Sequence, residues 1–430
     1  MRLLVKNAEI ITMNESSQMT VSGGCIAAKN GVITYLGKTP QSEKEFDKVI
    51  DARGGVVMPG LVNAHTHIPM TLFKGYADDL PLHRWLLDKI FPAEEKLDSE
   101  AVYWGALLAC AEMIKSGTTS FADMYFFSDS VARAAIKSGM NANIARCVTG
   151  TGEDYKKRLD EAESLFREYD GECDGAIKID FSAHAVYTCS HEAIRETAKA
   201  AEKYGAGMTV HLSETMKENR DCYSATGKSP TEILRDCGVF DNHTYAAHGV
   251  YLSGNDMEIL RDSGAAVVHN PASNLKLASG VANIKELLSC GVTVCIGTDG
   301  AASNNSLNMF SEMRLAALLH KGMRLDPTLI EAHEALKMAT VNGARALSRP
   351  DSGKLKVGAR ADFIVLDSSA PSIFPMYDPV SAAVYSACGG EVITSVIGGR
   401  AVMENRELKT IDIDEVKSNV ERSLKRMKLK

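Results

Sequence analysis

Val56-Val57-Met58-Pro59-Gly60-Leu61-Val62-Asn63-Ala64-His65-Thr66-His67 opens as an apolar strand and ends on two histidines one residue apart. In a strand, residues i and i+2 point to the same side. His65 and His67 can therefore meet one metal ion, and imidazole suits zinc, iron or nickel. Two surface histidines can also fall this close by chance, so the pair alone decides nothing.

The rest of the chain gives the pair weight. Apolar strands are expected over 118–123, 143–148, 177–184, 207–211, 243–248, 265–269 and 292–297. Between them lie helical stretches, the first over 101–116 and stopped by Gly117. Later helices are expected over 130–138, 156–169, 190–204, 230–237, 253–263, 281–289, 307–320 and 327–342. With the strand that starts at Val56, eight strands alternate with helices. The pattern predicts an α/β fold, a parallel sheet closed as a (β/α)8 barrel of TIM type. An open doubly wound sheet is the alternative, and the missing dinucleotide-binding glycine fingerprint lowers it.

Residues 1–57 instead read as short strands and turns, with Asn30-Gly31 as a hairpin turn. So small a segment cannot hide its strands alone. β character returns over 361–367 and 392–403. The expected organisation is a small β-sandwich from both termini (1–57 and 346–408), a barrel over 58–345, and a C-terminal helix over 409–430.

The chain has 430 residues, 45% of them hydrophobic, which suffices for a large core. A formal net charge of -7 lacks the basic footprint of a nucleic-acid binder. No apolar stretch is long enough for a bilayer span, so no membrane partner is expected. Met1-Arg2-Leu3-Leu4-Val5-Lys6 breaks its apolar run too soon for a signal peptide. The ten cysteines form no Cys-x-x-Cys pair, which argues against a thiolate zinc site. A reducing, cytoplasmic setting is expected.

Barrel active sites lie at the C-terminal ends of the strands. There the sequence puts His65, His67, His184, His211, His248 and His269, and the eighth strand runs into Gly297-Thr298-Asp299-Gly300. Any one of these histidines could be a satisfied core residue. So many at one level of a sheet point to a site. Three protein ligands and a water make a catalytic metal centre, sometimes with one further ligand. His65, His67, His211 and Asp299 are the candidate set for one divalent ion. Asp299 has a second use, since a carboxylate beside activated water can take its proton. Glu214 follows His211 in His211-Leu212-Ser213-Glu214 and is placed to reach substrate rather than metal. Lys178 could be the modified lysine that bridges two metals in some barrels. Its offset from the strand end favours an ordinary lysine and a single ion.

Four stretches together resemble the amidohydrolase superfamily, and within it the methylthioadenosine/S-adenosylhomocysteine deaminases and their 5′-deoxyadenosine deaminase relatives. They are Pro59-Gly60-Leu61-Val62-Asn63-Ala64-His65-Thr66-His67, His211-Leu212-Ser213-Glu214, His269-Asn270-Pro271-Ala272-Ser273-Asn274-Leu275-Lys276-Leu277, and the run from Gly297 to Met309. The resemblance covers nearly the whole chain. The His-x-Glu and Pro-Cys-x-x-Cys signature of cytidine deaminases is absent.

The resemblance implies hydrolytic deamination of the adenine ring in 5′-methylthioadenosine or S-adenosylhomocysteine, with 5′-deoxyadenosine and adenosine as further candidates. It implies one divalent ion per subunit on His65, His67, His211 and Asp299, zinc first, with Fe2+, Ni2+ and Mn2+ as alternatives. Glu214 would protonate the purine, and His248 would hold and polarise the water at the metal. Glu94 would grip ribose hydroxyls, with Glu95 as its neighbour in an uncertain register. Arg146 and His184 would touch substrate, and Arg158 would meet an amino-acid carboxylate unless it is a solvated helix charge. His269 has no role beyond packing near the site. The expected partner is a small nucleoside, and a homo-oligomer stays open. Guanine deamination and triazine dechlorination on the same scaffold are the alternatives. A noncatalytic homologue is less favoured, since all four candidate ligands are present.

Overall fold

The computed structural model describes residues 1–14, 19–39 and 41–429. Among these, the chain begins with strands β1 (Arg2–Ile11), β2 (Thr20–Lys29), β3 (Val32–Gly37), β4 (Lys48–Asp51) and β5 (Val56–Pro59). Next come β6 (Leu61–Thr66), β7 (Thr118–Tyr125), β8 (Asn141–Val148), β9 (Ile177–Ala183), β10 (Met208–Leu212), β11 (Thr244–His248), β12 (Ala266–His269) and β13 (Thr293–Ile296). The chain ends with β14 (Phe363–Leu366), β15 (Val392–Ile397), β16 (Arg400–Glu404), β17 (Glu407–Leu408) and the helix Ile413–Arg426.

Strands β6 to β13 pair in sequence order and in parallel, as the eight strands of the barrel. Every residue of β6, β7, β10, β11 and β12 is buried. That is why these strands read as continuous apolar runs, covered by helices outside and packed side chains inside. The two ends of the sheet meet through Asp299, whose N–H donates to the His65 carbonyl at 3.0 Å. Thr298 N–H also donates to Asn63 Oδ1 at 2.9 Å. The approach is tight, since a Cβ on Gly297 would lie 2.8 Å from the backbone of His65.

The opening motif is divided between two sheets. β5 pairs in parallel with β1 and antiparallel with β14, whereas β6 pairs with β7. The first barrel strand therefore starts at Leu61 rather than Val56, and the border expected between 57 and 58 falls inside β5. Gly60 makes the crossing possible. A Cβ there would sit 2.1 Å from Thr119 Oγ1 on β7, so only glycine passes.

The terminal strands build the second sheet, in the order β17-β16-β15-β14-β5-β1-β2-β3 with β4 also on β1. The expected sandwich is thus hydrogen-bonded as one sheet that branches at β1. Leu3, Val5, Ile26, Val57, Phe363 and Val396 share its core, which joins both termini. The last helix is tied to the helix Ser99–Lys115 by Arg426, 2.8 Å from Asp98 and 2.7 Å from Glu100.

Three helical features differ from expectation. The helix expected over 327–342 is broken into Ala332–Met338 and Val341–Ala346. There the Ala339 carbonyl accepts from the Val62 N–H of β6 at 2.8 Å instead of continuing the helix. Residues 82–94 are helical, with a π turn over Leu86–Ile90. Pro92 has no N–H for the Asp88 carbonyl, and the Phe91 N–H reaches back to Leu86. Met216–Thr226 is a helix whose one buried residue is Glu218. No helix of the described residues is long and apolar enough to cross a membrane.

Candidate metal centre and active site

Five side chains face one another at the C-terminal end of the barrel. His65 ends on β6 and His67 follows it, His211 lies on β10, His248 closes β11, and Asp299 follows β13. The network fixes the histidine tautomers. His67 Nδ1–H donates to the Met124 carbonyl at 2.6 Å and His211 Nδ1–H to the His184 carbonyl at 3.1 Å. His248 Nδ1–H donates to Asn274 Oδ1 at 2.9 Å. Each ring then turns a bare Nε2 inward, as a metal-ligating imidazole does.

The inward atoms are close. His67 Nε2 and His211 Nε2 lie 3.2 Å apart. Asp299 Oδ1 is 3.2 Å from His67 Nε2 and 3.5 Å from His65 Nε2. The ligand atoms of His65, His211, His248 and Asp299 all lie within 4.8 Å of one another. Two facing lone pairs at such a distance repel unless a proton or a metal ion stands between them. His65 Nε2 is buried with no hydrogen-bond partner. These observations fit a divalent metal, and imidazole with carboxylate is a donor set that zinc accepts. All four ligands expected from the sequence are in the cluster, and His248 joins them.

Charge gives the same answer. Burial alone would raise the Asp299 carboxyl, but contacts with His65 and His67 outweigh it and hold it well below the usual carboxylate range. Burial drives His65 down to about 4. Burial also lowers His67, yet the Asp299 carboxylate more than reverses this, and the ring stands at about 9. The cluster thus holds a buried negative charge that needs a positive partner, a proton on His67 or a metal ion. Asp299 Oδ2 is taken by the hydroxyls of Ser273 at 2.6 Å and Ser303 at 2.8 Å. Oδ1 is left for the centre. Asp299 and His248 both sit at positive φ, +60° and +77°, a strain that clusters at functional sites.

The centre opens into a cavity of about 80 Å³ lined by His67, His184, His211, Glu94, Glu214 and Asp299, among others. Glu214 Oε1 accepts from the Ser279 hydroxyl at 2.9 Å, and Oε2 lies 3.9 Å from His248 Nε2. Glu94 accepts from the Tyr125 hydroxyl at 2.6 Å, while Glu95 is exposed. Burial pushes the Glu94 carboxyl up to about 7. His184 donates from Nδ1 to Thr188 Oγ1 at 2.9 Å, and its ring centre is 4.5 Å from that of His211. Burial and the surrounding histidines push His184 down to about 3.

Two larger clefts adjoin the cavity. One, of about 1160 Å³, shares His184, Phe91 and Phe126 with it and is lined by Arg146 and Arg158. Both arginines are already engaged there, Arg146 with Glu161 at 2.8 Å and Arg158 with Asp154 and the Thr149 carbonyl. The other, of about 930 Å³, reaches Glu214 and Ser279 past Leu82, Leu86 and Tyr187.

Two sequence candidates lie outside this cluster. His269 Nε2 faces His320 Nε2 at 3.3 Å in the core. Lys178 stands at the opposite end of β9 and donates to the Ser348 carbonyl at 2.6 Å, so it bridges nothing. Tyr125, Thr188, Ser273, Asn274, Ser279 and Ser303 orient the site residues, and reasoning from the sequence did not single them out. Ser273, Asn274 and Ser303 stand inside the quoted motifs, and Tyr125 ends β7 where strand ends carry function. Thr188 and Ser279 give no signal in the sequence.

Comparison with known proteins agrees with this geometry. The amidohydrolase family model matches residues 56–402. A 5-methylthioadenosine/S-adenosylhomocysteine deaminase of Acetivibrio thermocellus is 48% identical, covering 99% of this chain and 100% of its own. A 5′-deoxyadenosine deaminase of Methanosarcina acetivorans is 44% identical over 96% of this chain and 95% of its own. Among solved structures, an adenosine deaminase from Xanthomonas campestris with bound zinc superposes with a TM-score of 0.93 at 33% identity, covering 99% of this chain and 98% of that one. Matched by the family model over most of its length and by relatives from end to end, this chain belongs to the amidohydrolase family.

Proposed function

We propose that the protein hydrolyses the 6-amino group of the adenine ring in 5′-substituted adenosines, giving the inosine analogue and ammonia, with one zinc ion per subunit. One observation carries the reading. A single cavity gathers the inward Nε2 atoms of His67, His211 and His248 with the carboxyl groups of Asp299, Glu214 and Glu94. The relatives named for methylthioadenosine, S-adenosylhomocysteine and 5′-deoxyadenosine support the substrate class.

His65, His67, His211 and Asp299 would hold a divalent ion, which would supply Lewis-acid activation of water. Asp299 Oδ1 takes the proton of the water that attacks C6. His248 Nε2, bare and 3.9 Å from Glu214, holds that water by accepting a hydrogen bond. Glu214 gives a proton to ring N1, so negative charge does not build up on the purine. Asp299 then passes its proton to the amino nitrogen, the C6–N bond breaks as C6 and the added oxygen become a carbonyl, and the proton of that oxygen returns to Glu214 as ammonia leaves. Glu94, with one oxygen on Tyr125, offers the other to the ribose hydroxyls. His184, which lines both the cavity and the larger cleft, and Arg146, which lines that cleft, would meet the 5′ substituent there.

The test is a kinetic panel of 5′-methylthioadenosine, S-adenosylhomocysteine, 5′-deoxyadenosine and adenosine, with zinc content measured on the same sample. Guanine and a chlorotriazine serve as controls. Turnover of a control with none on the adenosines overturns the reading.

Two variants refine it. Glu94→Gln should lower kcat/KM on ribosides by about 10–100-fold, the usual size for losing a hydrogen bond to a charged group. On 2′,3′-dideoxy analogues the variant should match the unaltered protein. An equal loss on both would take Glu94 off the ribose. Arg158→Ala should lower kcat/KM for S-adenosylhomocysteine and spare methylthioadenosine and 5′-deoxyadenosine, since only the first carries a carboxylate for the guanidinium. Because Asp154 already shares Arg158, the loss should lie near about 1.5 kcal/mol, or tenfold. No loss on any substrate would make Arg158 a helix-face charge and favour the short, uncharged 5′-deoxyadenosine arm.

A further inference from the structure

Glu214 projects from a turn that β10 does not hold by itself. β10 ends at Leu212, and Ser213 follows with φ +48°, a left-handed conformation that a residue with a side chain adopts only when its surroundings impose it. The Ser213 carbonyl accepts from the N–H groups of Val250 and Tyr251 at 3.1 and 3.0 Å. The donor side of the turn is held by one side chain. Glu218 Oε2 accepts from the Glu214 N–H at 2.8 Å, and Glu218 Oε1 accepts from the Ser213 N–H at 3.3 Å.

Glu218 is an unusual place to find a buried acid. It lies in the first turn of Met216–Thr226, and it is the one residue of that helix that is buried. An acid in a first turn ordinarily serves its own helix, through the macrodipole or by capping. Here the cap is already supplied by Thr215, whose hydroxyl accepts from the Glu218 N–H at 3.1 Å. The carboxylate turns away from its helix and back onto the two backbone N–H groups beside the catalytic acid. Burying a carboxyl is costly: burial pushes Glu218 up to about 7, and the two backbone donors at this turn counter only part of that cost.

We propose that Glu218 is a positioning residue: its carboxylate clamps the turn at Ser213 and Glu214 and so aims the Glu214 carboxyl at the purine ring. The clamp rests on the reading of Glu214 as the proton donor. Its two oxygens are taken by the N–H groups of Ser213 and Glu214, so its effect belongs in kcat, not in KM or metal content.

Glu218→Gln keeps the size of the side chain but has one acceptor oxygen and sets an NH2 against one of the two N–H groups. It should lower kcat roughly 10–100-fold, the scale on which a slight misplacement of a reacting group is felt. KM and zinc content should stay as they are. The decisive comparison is the same change made in Glu214→Gln. With the transferable proton gone there is no proton transfer left to aim, so the second substitution should alter kcat less than about twofold. Glu218→Asp, which keeps the charge but withdraws it by one methylene, is read in the same two backgrounds should Glu218→Gln fail to fold. A loss by the same factor in both backgrounds overturns the clamp, because it means Glu218 does not act through Glu214. So does an unchanged kcat in the Glu218 variant beside a deep loss in Glu214→Gln. An unchanged kcat in Glu214→Gln alone overturns the proton-transfer reading and the clamp with it.

Discussion

His67→Ala and His211→Ala should each strip the divalent ion and bring turnover to background. The two Nε2 atoms stand 3.2 Å apart, each held bare by a backbone carbonyl on its Nδ1–H. Alanine at either position removes one ligand and opens the centre to solvent from one side. At position 67 it also removes the group 3.2 Å from Asp299 Oδ1 and leaves that carboxylate buried with less to balance it. The unaltered protein should carry about one ion per chain, with no cysteine near it. Removal of the ion by a chelator should abolish activity, and zinc should restore it. The fold should persist through this cycle, since the ion would sit at one end of a barrel whose strands are buried along their length. Full turnover in a metal-free sample, or in either variant, would end the metal-dependent reading.

The barrel was legible because its strands are buried on both faces and so repeat as apolar runs. The strand-end histidines were legible because the barrel rule says where to look. What stayed hidden has physical reasons. Val56 to Val62 is one apolar run, and nothing in it except Pro59-Gly60 marks a change of sheet. Only the clash of a Gly60 Cβ with Thr119, far along the chain, shows why the run must divide there. The helix Met216–Thr226 has no apolar stripe, since its buried residue is a glutamate. Residues 82–94 read as no regular helix because Pro92 widens it into a π turn. The supports of the site were hidden for a further reason: they act between segments distant in sequence. Glu94 is held by Tyr125 and Glu214 by Ser279, and neither spacing has a period that a single sequence displays. Arg158 shows the limit from the other side. Its helix spacing allows the i,i+4 pair with Asp154 that a solvated charge would make, and only its position in the cleft beside Arg146 sets it apart.

Glu214→Gln should lower kcat by on the order of 10²–10⁴, the usual cost of losing a positioned acid–base group, while the ion stays bound. Glutamine has the same shape, and its carbonyl oxygen can still accept from the Ser279 hydroxyl, which lies 2.9 Å from Glu214 Oε1. The backbone bond from residue 214 to Glu218 is untouched, so the side chain starts from the same turn. What is lost is the capacity of this side chain, whose Oε2 lies 3.9 Å from His248 Nε2, to hand a proton to the ring. An amide can offer a hydrogen bond to N1 but cannot give up its proton there, so charge accumulates on the ring as the water adds. KM should change little, because the ring keeps a donor in place and the ribose keeps Glu94. The fall should therefore appear in kcat and kcat/KM alike, the pattern of an interaction made in the transition state and not before it. A fall in KM together with kcat would instead mean that Glu214 strains the bound substrate. An unchanged kcat would take Glu214 out of proton transfer, leave it as a binding residue, and pass the task of protonating the ring to another group in the cavity.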